Sequence, residues 1–281
     1  MMNPAGAPKL FDHAALRARL ARAARLGAAT FLLDAVRDDL AERLGAVLRS
    51  FGGAVDIGTP LAGLRDLLAA RAAKVEHVDL LASDHEDLAL APQSIDLAVS
   101  ALALQFANDL PGVFAQIRRA LKPDGLFLAA MVGGDTLTEL RQAFAAAESE
   151  RDGGISPRVA PAIDIRDLGA LLQRAGFALP VTDSDRLTVR YDNAFALMRD
   201  LRRMGATNVL VERRRVPLRR ETLLRMAAIY TERFSDPDGR IRATFDVLWL
   251  SGWAPHDSQQ KPLRPGSAQA SLADAVKNAK R

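Results

Sequence analysis

The sequence has no cysteine, which excludes disulfides, thiolate metal sites and a cysteine nucleophile while leaving the redox compartment open. Aromatic residues make up only 5% of the 281 positions and do not alternate with basic ones. The stacking platforms of single-stranded nucleic-acid binders are therefore missing, and no nucleic-acid partner is expected. His13, His77, His85 and His256 are scattered, without paired or His-x-Glu spacing, so no metal site is expected, and His77 and His85 read as surface residues. No segment approaches the roughly 20 apolar residues that cross a bilayer, and the N-terminus lacks an unbroken apolar core of signal-peptide length. A soluble chain without a transmembrane segment is expected. No internal repeat and no Ser-His-Asp arrangement is visible.

What is present is enough apolar material, 49% of residues, to bury a substantial core. Charge nearly cancels, with 38 basic against 34 acidic residues and a net of +4, so any basic field is local. Arg213-Arg214-Arg215 and Arg219-Arg220 read as a solvated helix face, with contact to phosphates or an acidic partner surface as the alternative. Arg17, Arg19, Arg22 and Arg25 punctuate an Ala/Leu-rich stretch that reads as an ordinary helix, with an organelle transit peptide as the alternative.

Apolar residues recur at helical spacing from Phe11 to Arg49, through Phe31, Leu32, Val36, Leu40, Leu44 and Leu48. Ala54–Ile57 then reads as a buried strand, Leu61–Ala73 as a helix and Lys74–Leu81 as a short strand. Ile95–Ser100 is an apolar run of strand length. Leu110–Leu121 is a helix closed by Lys122-Pro123-Asp124-Gly125, where proline stops it and glycine permits the turn. Leu126–Val132 is the next buried strand. Asp135 reads as the N-cap of a helix running to about Arg151. Further on come a helix ending LLQRAGF, a strand over Arg186–Tyr191, helices over Ala194–Met204 and Glu221–Phe234, and a strand over Ala243–Leu250. The tail from Pro255 reads as irregular.

Alternating strands and helices with continuously apolar strands predict an α/β fold whose parallel sheet is covered on both faces. Such sheets bind ligands beyond the carboxyl ends of their strands. Asp56, Gly58, Asp79, Ser100 and Gly133-Gly134-Asp135 all follow strands and are expected on one rim. The predicted organisation is an N-terminal helical segment over residues 1–50, an α/β domain over 51–254 with a helical insertion over about 193–237, and a tail over 255–281.

Several segments, in order, carry a resemblance: IDLAVSALALQFANDLPG, ALKPDGLFLAAMVGGDTLTELR, ESERDGGISPRVAP, DLGALLQRAGFALPVTDSD, MRDLRRMGATN and ERFSDPDGRIRATFDVLWLSGWAPHDSQQKPLRPGSA. The chain resembles the class I S-adenosylmethionine-dependent methyltransferases and, within them, the complex I assembly factor 5 family. The resemblance implies a Rossmann-like, seven-stranded, mostly parallel sheet with an antiparallel last strand, and S-adenosylmethionine lying across the first two strands. It implies that Asp56 and Gly58 approach the methionine part, Asp79 holds the ribose hydroxyls, Asp84 contacts the adenine amine and Ser100 lies at the same rim. Gln105, Gly133, Gly134, Asp135 and Thr136 are implied at the rim or substrate side.

The sequence departs from the class pattern in three places. AVDIGTPLAGL has Thr59-Pro60-Leu61-Ala62 where the class has a glycine-rich DLGCGxG turn, so a close backbone approach and an amide donor are lost. Only LLAS separates Asp79 from Asp84, too short for a crossover between parallel strands, so a strand and part of the adenine pocket are expected to be missing. Gln105-Phe106 stands where relatives have His-Trp, removing an imidazole from the rim.

Three functions follow from the resemblance: methyl transfer from S-adenosylmethionine, hydroxylation of an arginine on a respiratory complex I subunit, or assembly of such a subunit without catalysis. The partner in each is a protein. The few residues before Leu10-Phe11-Asp12 favour a bacterial cytoplasm, with the mitochondrial matrix as the counterpart in a eukaryote.

Overall fold

A computed structural model describes residues 9–83 and 85–260. Two helices come first, α1 (His13–Arg25) and α2 (Phe31–Gly45). The α/β part follows as β1 (Phe51–Ile57), α3 (Arg65–Ala69), β2 (Ala72–Val78), β3 (Ile95–Ala101), α4 (Leu110–Ala120), β4 (Leu121–Gly133), α5 (Thr138–Arg151), α6 (Ile165–Arg174) and β5 (Ala178–Tyr191). Helices α7 (Ala194–Arg203) and α8 (Arg220–Phe234) are inserted before β6 (Ile241–Trp253).

The strands form one sheet in the order β2-β1-β3-β4-β6-β5. Strands β1 to β4 run parallel, and β6 is antiparallel to both β4 and β5. The mostly parallel sheet with an antiparallel last strand, the N-terminal helices and the helical insertion are thus all present. Strand alternation divides the core between the two faces. Leu97, Val99, Leu126, Leu128, Phe245 and Trp249 pack beneath α2, α5, α7 and α8, while Ala98, Phe127, Ala129, Leu248 and Leu250 pack beneath α4 and α6. Side chains start several helices: Asp12 accepts from Ala15 N–H at 2.9 Å, Asp109 from Gly112 at 2.9 Å and Asn193 from Ala196 at 3.0 Å.

Among the described residues the sheet has six strands where the class has seven, and β2 is its edge, as expected from the short LLAS connection. Four expectations need correction. The helix predicted over Leu61–Ala73 is a 3₁₀ turn over Pro60–Ala62 and the five-residue α3. Leu61 and Ala62 sit at φ 61° and 51°, and two successive left-handed residues break the helical hydrogen-bond ladder. After α4 the left-handed residue is Asp124, φ 62°, and not Gly125. Asp135 does not cap α5; the residue before the helix is Leu137, with no side-chain cap, and Asp135 faces Arg186 instead. Finally, the arginines near position 214 are paired across elements: Arg213 binds Asp12 at 2.8 Å, joining the start of α1, and Arg214 binds Asp152 at 2.8 Å, at the end of α5.

Candidate functional site

The carboxyl ends of β1 to β4 share one rim. At the end of β1, Gly58 donates to the Val78 carbonyl at 2.8 Å and has φ 70°. Ile57 and Val78 pair in register, so Gly58 and Asp79 emerge from the sheet side by side. A Cβ at Gly58 would meet those of Leu80 and Ala103, each at 3.1 Å. Asp79 is exposed, and its Oδ1 accepts from Leu81 N–H at 2.8 Å. Asp84 lies outside the described residues.

Asp56 lies beneath the rim. It is 3% exposed, and its Oδ2 is 3.2 Å from Nδ1 of His77, its register partner on β2. Burial raises its pKa, opposed by Thr59 and by hydrogen bonding and charge from His77. Ser100 is fully buried and donates to the Ile57 carbonyl at 2.7 Å, joining β3 to β1. Thr59 adds a second tie by accepting from Ala101 N–H at 3.0 Å.

After β4 the chain turns through Gly133-Gly134-Asp135-Thr136. Side chains at either glycine would strike β6, at Leu248 and at Asp246 respectively. Asp246, 4% exposed, accepts from Asp135 N–H at 2.8 Å and from Arg186 Nε and Nη2 at 2.7 and 2.9 Å. Asp135 holds Arg186 from the other side at 2.8 Å, and Thr136 Oγ1 accepts from Asp246 N–H at 2.9 Å. Burial works to raise the Asp246 pKa, but the Arg186 hydrogen bonds, the Asp135 amide and the Arg186 charge outweigh it, and the net shift is downward.

Above the rim is a cavity of about 380 Å³. Gly58 and Leu80 line its floor with Gln105 and Thr136, while Leu16 of α1, Leu33 of α2 and Met198 of α7 line its roof. The structure thus brings Gly58, Gln105 and Thr136 to one space. Asp56, Ser100, Gly133, Gly134 and Asp135 support that space from behind, and Asp79 stands next to its wall. Gln105 donates to the Leu102 carbonyl at 2.7 Å and leaves Oε1 buried without a protein partner. Arg158 is the one charged residue lining the cavity among those described, and it is neutralised by the fully buried Glu148, 2.8 Å from Nε to Oε1.

Two groups important to this architecture escaped the sequence reading. Asp246 was signalled by an acid inside the apolar run ATFDVLWL. Glu86 and His13 gave no signal. Glu86, 3% exposed, accepts from Asn108 N–H at 2.6 Å and Asp109 N–H at 2.8 Å. His13 Nε2 lies 3.2 Å from Glu86 and 3.0 Å from the Phe106 carbonyl, so a proton on that nitrogen serves two acceptors. Together they fasten α1 to the rim loops.

Tested against S-adenosylmethionine, the cavity is large enough for a ligand of that size. The exposed Asp79 carboxylate beside Gly58 fits the two ribose hydroxyls. The turn that would face the amino-acid end fits less closely, since Pro60 offers no N–H and Leu61 projects side-chain bulk into the cavity lining.

Comparison with known proteins agrees with this architecture. Residues 54–129 match a methyltransferase domain family. The chain is 39% identical over 267 residues to "Arginine-hydroxylase NDUFAF5, mitochondrial" of Danio rerio, covering 88% of this chain and 82% of that protein. The Homo sapiens protein of the same name is 38% identical over 266 residues, covering 88% and 76%. A malonyl-[acyl-carrier protein] O-methyltransferase of Laribacter hongkongensis is 40% identical over 187 residues, covering 66% and 60%. Among solved structures, the YcgJ protein of Bacillus subtilis superposes with a TM-score of 0.52 at 15% identity, covering 78% of this chain and 98% of that one, which shows the fold. The chain belongs to the NDUFAF5 arginine-hydroxylase family, on the class I methyltransferase fold.

Proposed function

We propose that the chain binds S-adenosylmethionine along the rim and acts on a protein subunit of respiratory complex I, modifying it or presenting it for assembly. The observation that carries this reading is the pairing of Gly58 with an exposed Asp79 at adjacent strand ends, next to a roofed cavity. Asp79 would accept the ribose hydroxyls. Gln105 Oε1 offers an unused acceptor inside the cavity, and the apolar roof formed by α1, α2 and α7 covers one side of it. When bound, the cofactor supplies a sulfonium-activated methyl group. The name of the vertebrate relatives points to an arginine as the residue acted on. Helices α1 and α2 and the insertion that carries α7 and α8 would be the surfaces such a subunit meets, in the bacterial cytoplasm or, for a eukaryotic chain, the mitochondrial matrix.

A second reading, an assembly factor without turnover, is favoured by the turn at Pro60-Leu61-Ala62, where two left-handed non-glycine residues replace the open glycine loop. Calorimetric titration with S-adenosylmethionine and S-adenosylhomocysteine separates the two. Micromolar affinity, about −8 kcal/mol, weakened roughly tenfold or more in Asp79→Asn supports the first. Absence of binding to the folded wild-type protein selects the second. Asp79 is the residue to change because it is exposed. Asp56→Ala would strand His77 and alter the fold as well as the site.

A further inference from the structure

Strand β2 is an open sheet edge. It pairs with β1 on one side, and among the described residues nothing pairs with the other. An edge strand presents unpaired N–H and C=O groups, and folded proteins guard such edges with proline, inward charges, bulges or a covering segment. The opposite edge of this sheet, β5, is guarded in that way. It contains Pro180 and a register irregularity between Ala178 and Val181, and Asp183 and Asp185 are both engaged by Arg43. In β2, Ala72-Ala73-Lys74-Val75-Glu76-His77-Val78, there is no proline, and its pairing with β1 runs from Ala72 to Val78 in constant register.

The one guard on β2 is Lys74, and the strand itself supplies its answer. Lys74 and Glu76 lie on the same face of the strand and form an ion pair there; their side chains are 74% and 49% exposed. We propose that β2 is a self-association surface, on which a second copy of this chain adds its own β2 antiparallel, about a two-fold axis at Val75. In that register Lys74 stands opposite Glu76 of the second copy, and Glu76 opposite its Lys74. Val75 meets Val75, and Ala73 meets His77. An isologous contact must be self-complementary, and this heptapeptide is. A lysine repels an added strand when its charge has no partner; here each lysine exchanges a partner within its own strand for one across the two-fold. Cross-strand pairs of opposite charge and of β-branched residues are the favourable pairs of antiparallel sheets. The contact would join the two sheets into one through both molecules, with each rim cavity lying beyond the carboxyl end of its own β2.

Sedimentation equilibrium of the full chain, over roughly a hundredfold range around micromolar concentration, tests this. The wild type is expected to show a concentration-dependent monomer–dimer equilibrium. Lys74→Glu and Glu76→Lys each place like charges opposite one another and should weaken dimerisation by about tenfold or more, while the double variant, with the charges exchanged, should restore it. Both side chains are exposed, so the variants should remain folded, which circular dichroism checks. Hydrogen exchange supplies a second reading: β2 amides facing away from β1 should gain protection as concentration rises. A monomer at every concentration overturns the proposal. So does a dimer indifferent to both single reversals, or one in which the double variant stays as weak as the singles. A wild-type monomer whose β2 amides become protected only when an unrelated strand-forming peptide is added would assign the edge to a different partner and also overturn it.

Discussion

Replacing Asp246 with asparagine asks whether charge holds the turn that carries Thr136 into the cavity. The native carboxylate accepts one N–H from Asp135 and two from Arg186. An amide in its place keeps one acceptor oxygen and turns a donor toward Arg186 or the Asp135 amide. Hydrogen bonds to charged groups contribute about 1.5–3 kcal/mol each, and an unsatisfied buried donor costs a similar amount. Breaking a fully buried ion pair costs about 3–5 kcal/mol, but the Arg186 side chain is 57% exposed and can recover water, so about 2–3 kcal/mol is expected. In urea unfolding the midpoint should fall while the slope stays constant.

The pH dependence gives an independent signature. The folded Asp246 carboxyl titrates below its ordinary value of 3.8. A group whose pKa is depressed by folding contributes stability that is present above the unfolded pKa and lost as pH falls through the folded one. The stability gap between wild type and Asp246→Asn should therefore be full near neutrality and shrink below about pH 4. A gap under about 0.5 kcal/mol at neutral pH, or one that persists unchanged to about pH 2, would refute the charge-based account of this turn.

Gly58→Ala should destabilise the protein by about 1–3 kcal/mol, because a Cβ at φ 70° is strained and would press on Leu80 and Ala103 at 3.1 Å; thermal unfolding measures it. Glu86→Gln should cost about 1–3 kcal/mol, since Oε1 accepts from Asn108 N–H and Oε2 from Asp109 N–H, and the amide would turn its NH2 group toward one of those donors. Amide exchange in α1 should accelerate in that variant more than exchange in β4, and equal effects on both elements would count against a local clip.

Most of the sheet was legible because its central strands are apolar on both faces, and IDLAVS and LFLAAMV admit few other readings. The edge strand β5 was legible only at its end. Its first half, ALPVTDSD, has no fully buried residue, exposes Leu179 and Val181 as well as Asp183 and Ser184, and lacks the apolar run that marks a central strand. The helix read through Leu61–Ala73 failed for a different reason: apolar spacing was right, but local backbone geometry set by Pro60 and the two left-handed residues after it overrode that spacing. Within the site, Gly58 could be placed because it follows a strand end, and Gln105 and Thr136 because the resembling segments put them at the rim. Glu86 and His13 could not, because their contact joins segments far apart in sequence and depends on how α1 docks.

The short LLAS connection has consequences beyond the missing strand. Without a crossover helix, the described residues between Asp79 and Ser94 are tied by local backbone turns such as Ala82 N–H to the Asp79 carbonyl, by the Asp79 and Gln116 side chains accepting from Leu81 and Leu88 N–H, and by Glu86 accepting from Asn108 and Asp109 N–H. Left-handed residues at Glu86, Ala89 and Gln93 fold this segment tightly enough to reach those partners. Because Glu86 also faces His13, and Asn108 accepts from Leu10 and Phe11 N–H at 2.8 Å, the segment closes against α1. Helix α1 is thereby part of the rim: the contacts that replace the lost strand are the ones that set the cavity roof. Any ligand admitted beneath that roof must be accommodated by a wall fixed at Glu86 and a floor fixed at Asp246, and the adaptable surface left to it is the apolar span between Leu61 and Met198.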